Sequence, residues 1–298
     1  MDGARFDSLT RQLGRSFSRR RFLGGAAGAL ALTAIPLRFA AAATDATDAK
    51  ATIEQFYQNV DAYDYASAYA LLGASWQQSQ SQTAFTNGYG DTAFVELTIL
   101  GTANSSNGTK QVNVKLTSWH NDATIHGYSG HYIVGQEGAE GRNTLILSAD
   151  IKVASAPDVA PLCTLDDLSF AIGGGDAGAG NRFGTVIGTN ESGSACVVGG
   201  SPALTLRNET TGNRLYSTSE AGSPAVGITL QPGGSATAQY RFANWCGSTD
   251  PSDFSLSVEV PGDFSQTTIP DGAENLSYPP CLGSGESALL GVQGWTAS

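Results

Sequence analysis

The three histidines of this chain, His120, His126 and His131, fall within twelve residues. Imidazoles so close together invite metal binding or proton transfer. Strand geometry divides them. Matching Val112, Val114 and Leu116 to Tyr128 and Tyr132 on one sheet face requires a loop at about Asn121 to Ala123. His120 and His126 then share a face and His131 points the other way. Two ligands are too few for a zinc held by protein alone, and Asp122, which could add a third, sits in the turn. The remaining acid–base set is Asp61, Asp64 or His126, with Tyr57, Tyr69, Trp76, Trp119 and Tyr128 as walls. A carboxyl or imidazole against such walls has a shifted pKa and could take a proton beside a carbonyl. Each aspartate also stands at an expected helix boundary, where capping accounts for it, and the aromatics can equally fill a core. No catalytic, metal or cofactor residue is assigned.

Other constellations point away from chemistry. Gly173, Gly175 and Gly178 fit G-x-G-x-x-G, but that fingerprint needs a following helix to receive a pyrophosphate. Here Ala179 to Thr189 reads as turn and strand, so an interstrand loop is expected. Asp166, Asp167 and Asp176 lack the calcium-loop pattern, and neither G-x-S-x-G nor H-E-x-x-H occurs. No flavin, haem or molybdenum signature is present. The four cysteines, Cys163, Cys196, Cys246 and Cys281, are spaced by 33, 50 and 35 residues, unlike any zinc spacing. An even count in an exported chain implies two disulfides. Three pairings satisfy the count; the local pairs Cys163–Cys196 and Cys246–Cys281 suit sequential strands of one domain.

The elements that must position these residues change character along the chain. Residues 44–50 read as a linker. Ile53, Phe56, Tyr57 and Val60 form one helical face. Tyr65, Ala68, Tyr69 and Leu72 form a second, with Asp64 as N-cap, and a third helix is expected from Trp76 to about Phe85. Four strands follow: Phe94–Leu100, one around Val112–Leu116, one around Tyr128–Val134, and Leu145–Val153, with a turn at 105–108. Ala154 to Pro157 marks a boundary. Beyond it, short strands alternate with turns, at Leu165–Ile172, Phe183–Thr189, Ala203–Arg207, Val226–Leu230, Ala236–Phe242, Phe254–Val260 and Ser287–Val292. That spacing predicts an antiparallel sandwich.

Charge splits near residue 43. The first 43 residues hold seven arginines against two aspartates, whereas the remainder holds nine Lys/Arg against 25 Asp/Glu. With the basic cluster removed, the acidic body has no lysine or arginine cluster for nucleic acid or anionic lipid. Ser18-Arg19-Arg20-Arg21-Phe22-Leu23, followed by a Gly/Ala-rich apolar run and Ala41-Ala42-Ala43, resembles a twin-arginine export signal. The resemblance implies a signal peptide over 1–43, cut between Ala43 and Thr44, and a twin-arginine translocase as transient partner. The run Phe22–Leu37 has 16 residues, short of the ~20 of a spanning helix, so no stable anchor is expected.

Two further resemblances bear on fold. The run FYQNVDAYDYASAYALLGASWQQSQSQTAF and the later GYSGHYIV resemble the nuclear-transport-factor-two-like (SnoaL-like) superfamily. For residues 51–154 this implies an α+β cone, three helices on a curved antiparallel sheet, enclosing an apolar pocket. Cys163, Gly178-Ala179-Gly180, Thr189 to Cys196, Gly199 to Pro202, Leu230 to Ala236, Cys246 and Cys281 resemble a bacterial exported immunoglobulin-like family without assigned function. For residues 158–298 this implies an all-β sandwich; Gly200 departs from it, an aromatic being common there. The expectation is a non-catalytic binding or interaction protein of the cell envelope or extracellular space, engaging an envelope partner or a small apolar ligand. The alternatives are an isomerase or lyase in the cone and a structural envelope component.

Overall fold

The computed structural model describes residues 45–137, 143–220, 225–283 and 288–298. The export residues Ser18, Arg19, Arg20, Phe22 and Leu23 and the cleavage point Ala43–Thr44 lie outside them. The Asp45 carboxylate accepts the Thr47 N–H at 2.7 Å and opens α1 (Ala46–Asp61). Its face of Ile53, Phe56, Tyr57 and Val60 is buried. Asp64 caps α2 (Tyr65–Ala70), accepting the Ser67 N–H at 3.0 Å. Two more helices follow, α3 (Ala74–Ser79) and α4 (Gln82–Tyr89). The single helix expected from Trp76 to Phe85 is therefore interrupted. Gln80 takes extended backbone angles, and the Ser81 hydroxyl caps a fresh N-terminus by accepting the Ala84 N–H at 3.2 Å.

Four long strands complete this half: β1 (Thr92–Asn104), β2 (Lys110–His120), β3 (Ile125–Glu137) and β4 (Asn143–Ala154). They form an antiparallel meander in chain order. Leu116 lies opposite Tyr128 and Val112 opposite Tyr132, and the His120 N–H donates to the Thr124 carbonyl at 3.0 Å. The expected three-helix cone is overturned. Strands make up 49% of the described chain, the described helices of this half number four, and the sheet is open, with β1 and β4 as its edges; β4 is met there by the segment after α2, Ile146 exchanging backbone hydrogen bonds with Leu71 and Gly73. The physical reason is local: strands joined by hairpins satisfy their ladders with immediate neighbours, and nothing brings the two edges together. Nor is the helix-facing side hollowed by its aromatics. Phe56 meets Tyr57 and Phe85 edge to face at 5.1 and 6.0 Å, and Phe85 meets Tyr89 at 5.1 Å.

Among the described residues, the regular structure of the rest of the chain is β apart from α5 (Gly272–Asn275) and a short 3-10 turn at Pro251–Asp253. Its strands are β5 (Leu168–Gly178), β6 (Asn181–Asn190), β7 (Cys196–Val198), β8 (Ala203–Asn208), β9 (Arg214–Tyr216), β10 (Thr218–Ser219), β11 (Ile228–Leu230), β12 (Ser235–Ala243), β13 (Phe254–Val260), β14 (Asp263–Thr268), β15 (Leu289–Val292) and β16 (Thr296–Ala297). One sheet runs β10-β15-β12-β6-β5, with β16 on β12; a second runs β14-β13-β8-β9; β11 pairs with β7. Period-two burial explains the sandwich. Ala236, Ala238, Tyr240 and Phe242 of β12 face Leu256 and Val258 of β13 and Leu204 and Leu206 of β8 in one core. The glycines expected to form a loop, Gly173, Gly175 and Gly178, instead continue β5, with a bulge between Gly173 and Asp176. No helix follows them, so the dinucleotide fingerprint lacks its phosphate-binding element. Disulfides join Cys163 to Cys196 and Cys246 to Cys281. None of the described helices is long and apolar enough to cross a membrane.

Candidate binding groove

The residues singled out in the helical half do not converge on one site. Tyr57 and Tyr128 are fully buried, and Tyr57 shares a 2.6 Å hydrogen bond with the Tyr132 hydroxyl. The Tyr69 hydroxyl donates to the Gln80 carbonyl at 2.6 Å, and Trp76 Nε1 donates to Gln80 Oε1 at 3.3 Å. These contacts tie α2, α3 and the start of α4 together rather than lining a cavity. Trp119 occupies the opposite face of β2 from Leu116. There it stacks on Phe94 at 4.5 Å, in a cluster that includes Val197 of the sandwich. His126 meets His120 edge to face, with ring centroids 4.8 Å apart, and His120 Nε2 lies 3.0 Å from Ser118 Oγ. His131 sits opposite Asn113 on the other face. Burial, and next the neighbouring His126, hold His120 below its ordinary pKa. Among the described residues no three His, Cys, Asp or Glu side chains are grouped to hold a metal.

Asp64 caps a helix, but Asp61 does not. Asp61 is the last residue of α1, turned inward, and its Oδ1 accepts the Val95 N–H at 2.8 Å. Burial pushes its carboxyl well above the ordinary range, against the backbone N–H groups of Val95 and Ala225. Oδ2 has no hydrogen-bond partner among the described residues.

An open site lies elsewhere, on the sandwich. A groove of about 360 Å³ runs between the β8–β9 hairpin and the segment after β12. Leu206 and Phe254 form its floor, with Leu215 and Trp245 as apolar walls. Local chemistry builds both rims. Asn208 Oδ1 accepts from the Thr211 N–H at 2.7 Å, and the Gly212 N–H closes onto the Asn208 carbonyl at 2.8 Å. This turn holds Asn213 and Arg214 at one rim. On the other, Trp245 Nε1 donates to the Ser248 carbonyl at 2.6 Å, beside the Cys246–Cys281 bridge. The rims are tied together through Asp253, whose carbonyl accepts the Glu209 N–H at 2.8 Å and whose carboxylate accepts from Ser248 Oγ at 2.6 Å. Arg214 makes no ion pair among the described residues; its polar contact is the Tyr216 hydroxyl at 3.5 Å. An apolar slot with one unpaired cation at its mouth can seat a hydrophobic body bearing an anionic end.

Comparison with known proteins places this region. Residues 163–295 match the family described as Domain of unknown function (DUF4232). All four cysteines fall inside that match, and so does the groove. No curated protein and no solved structure matches the chain. Of the resemblance expected for the C-terminal region, what is shown is the match of residues 163–295 to this family and the two disulfides. The groove residues Trp245, Asn213 and Arg214 escaped sequence reasoning. The signals for them were a turn sequence, Asn208 to Asn213, and a tryptophan next to a cysteine, neither of which says that two distant loops meet.

Proposed function

We propose that this protein is exported and acts as a non-catalytic binding protein outside the cytoplasmic membrane, with the sandwich groove as its binding site. The single observation that supports this reading is the groove itself: an apolar floor and walls, with Arg214, which makes no ion pair among the described residues, at the mouth. The ligand class that fits is a small molecule or side chain with an apolar body and a carboxylate or similar anion. Two further features support export. One is the Arg19-Arg20 leader with its Ala43–Thr44 cleavage point, read by a twin-arginine translocase. The other is the pair of disulfides, which suits an oxidising compartment. Intact-mass and native mass spectrometry of protein recovered from the producing cells tests both parts. The expected mass begins at Thr44 with both disulfides closed. A cytosolic product retaining its leader and four free thiols would refute export.

A further inference from the structure

Asp61 lies where the helical half meets the sandwich. Around it, Phe94 of β1 stacks on Trp119 of β2, and both pack with Val197 of β7. Trp119 Nε1 reaches the Ala160 carbonyl at 3.4 Å, and the Tyr63 hydroxyl donates to the Ala93 carbonyl at 2.9 Å. Gly199 is built for this contact, because a Cβ there would stand 2.3 Å from the Phe94 ring. The Asp61 carboxyl is 5% exposed. Its Oδ1 accepts the Val95 N–H of β1, and the backbone N–H of Ala225, in the segment before β11, favours its ionised form from the sandwich side.

We propose that Asp61 is a proton-controlled latch, which holds the helical half against the sandwich when protonated and loosens their contact when ionised. The argument is one of supply. A neutral carboxyl needs little beyond the Val95 N–H on Oδ1. An ionised one spreads its charge over both oxygens, and among the described residues Oδ2 has no donor. The titratable groups acting with it are tyrosines: Tyr57 of α1, Tyr63 of the α1–α2 turn, Tyr65 of α2 and Tyr89 of α4. The hydroxyls of the first three are committed elsewhere, to Tyr132, Ala93 and Tyr89 respectively. From the sandwich side Glu259 of β13 acts on Tyr63, adding a like charge. Among the described residues, no Lys, Arg or His acts on the Asp61 carboxyl. A buried carboxylate so placed gains its missing solvation only from water, and water reaches it by parting the junction.

Burial raises the pKa of the closed form. Closure therefore takes up a proton in a window that starts at the ordinary carboxylate value of about 3.9 and ends at the raised one. Contact is tightest at the acid end and weakens as pH rises through the closed-form pKa. The test labels the full chain with 5-fluorotryptophan and follows the Trp119 fluorine resonance, assigned with Trp119→Phe, between pH 4 and pH 9. The expected result is a one-proton transition in the wild type, with Trp119 becoming at least about twofold more quenchable by acrylamide at the alkaline end. Asp61→Asn should hold the acid-end position throughout, and His126→Gln should leave the transition in place. A transition that persists in Asp61→Asn, or that vanishes in His126→Gln, overturns the latch. If Asp61→Asn fails to fold, the wild-type titration decides alone: an unmoving Trp119 resonance refutes the proposal.

Discussion

The two disulfides provide a sharp comparison, because their loops are nearly equal and their surroundings are not. Cys163–Cys196 closes 33 residues and Cys246–Cys281 closes 35. Loop-closure entropy lost by the unfolded chain then gives about 3.7 and about 3.8 kcal/mol at 25 °C, a difference too small to measure. Burial separates them. Cys163 and Cys196 are 3% and 4% exposed inside the sandwich core, whereas Cys246 and Cys281 are exposed. Replacing the buried pair by alanine removes two packed sulfurs and leaves a cavity, which adds roughly 1–2 kcal/mol. Cys163→Ala with Cys196→Ala should therefore cost about 5 kcal/mol, and Cys246→Ala with Cys281→Ala about 4 kcal/mol or less. Urea unfolding with linear extrapolation measures both, and the slope m should rise in each variant as the freed unfolded chain exposes more surface. If the exposed pair proved the costlier, the assignment of the core to the Cys163–Cys196 side would be wrong.

Two further outcomes follow from packing and charge. Gly199→Ala pushes a methyl into the Phe94 ring and should cost about 1–3 kcal/mol as overpacking; urea unfolding and a red shift of Trp119 fluorescence would report it, and an unchanged midpoint would show that the halves do not meet there. His120 titrates below its ordinary value because of burial, and next because of His126. The folded state therefore binds fewer protons than the unfolded chain once pH drops below about 6.5. Stability from this site is full above that pH and is lost as pH falls toward the folded-state value. Replacing His126 with Gln should move the His120 proton-NMR titration to higher pH, and an unmoved midpoint would remove the neighbouring imidazole as a cause.

Much of the secondary structure was legible because it rests on local chemistry. The Asp64 cap needs only a carboxylate facing the next turn. The β2–β3 register follows from alternating apolar residues and one short loop, which is why His120 and His126 share a face. The sandwich strands β12 and β13 alternate over their whole length. What failed was tertiary. A helical stripe says that a face is buried but not against what, so three helices and a meander suggested a cone where an open sheet packed with aromatics stands. Asp61 read as a helix-boundary cap because nothing local tells that its partner is a backbone N–H 34 residues away. Trp119 was placed with the pocket aromatics although its parity on β2 sets it on the face opposite Leu116. The groove was invisible for the same reason: its rims come from residues 208–214 and 245–248, and only the folded sandwich brings them together.

The central claim, that the sandwich groove binds a ligand with an apolar body and an anionic end, is tested most directly by amide chemical-shift mapping of the 15N-labelled protein with 4-phenylbutyrate as probe. The account predicts saturable shifts confined to residues 206–215 and 245–254, with affinity at least about tenfold weaker in Arg214→Ala, as loss of a charge-assisted contact requires. Shifts scattered over the surface, or an Arg214→Ala variant that binds as well as the wild type, would contradict it.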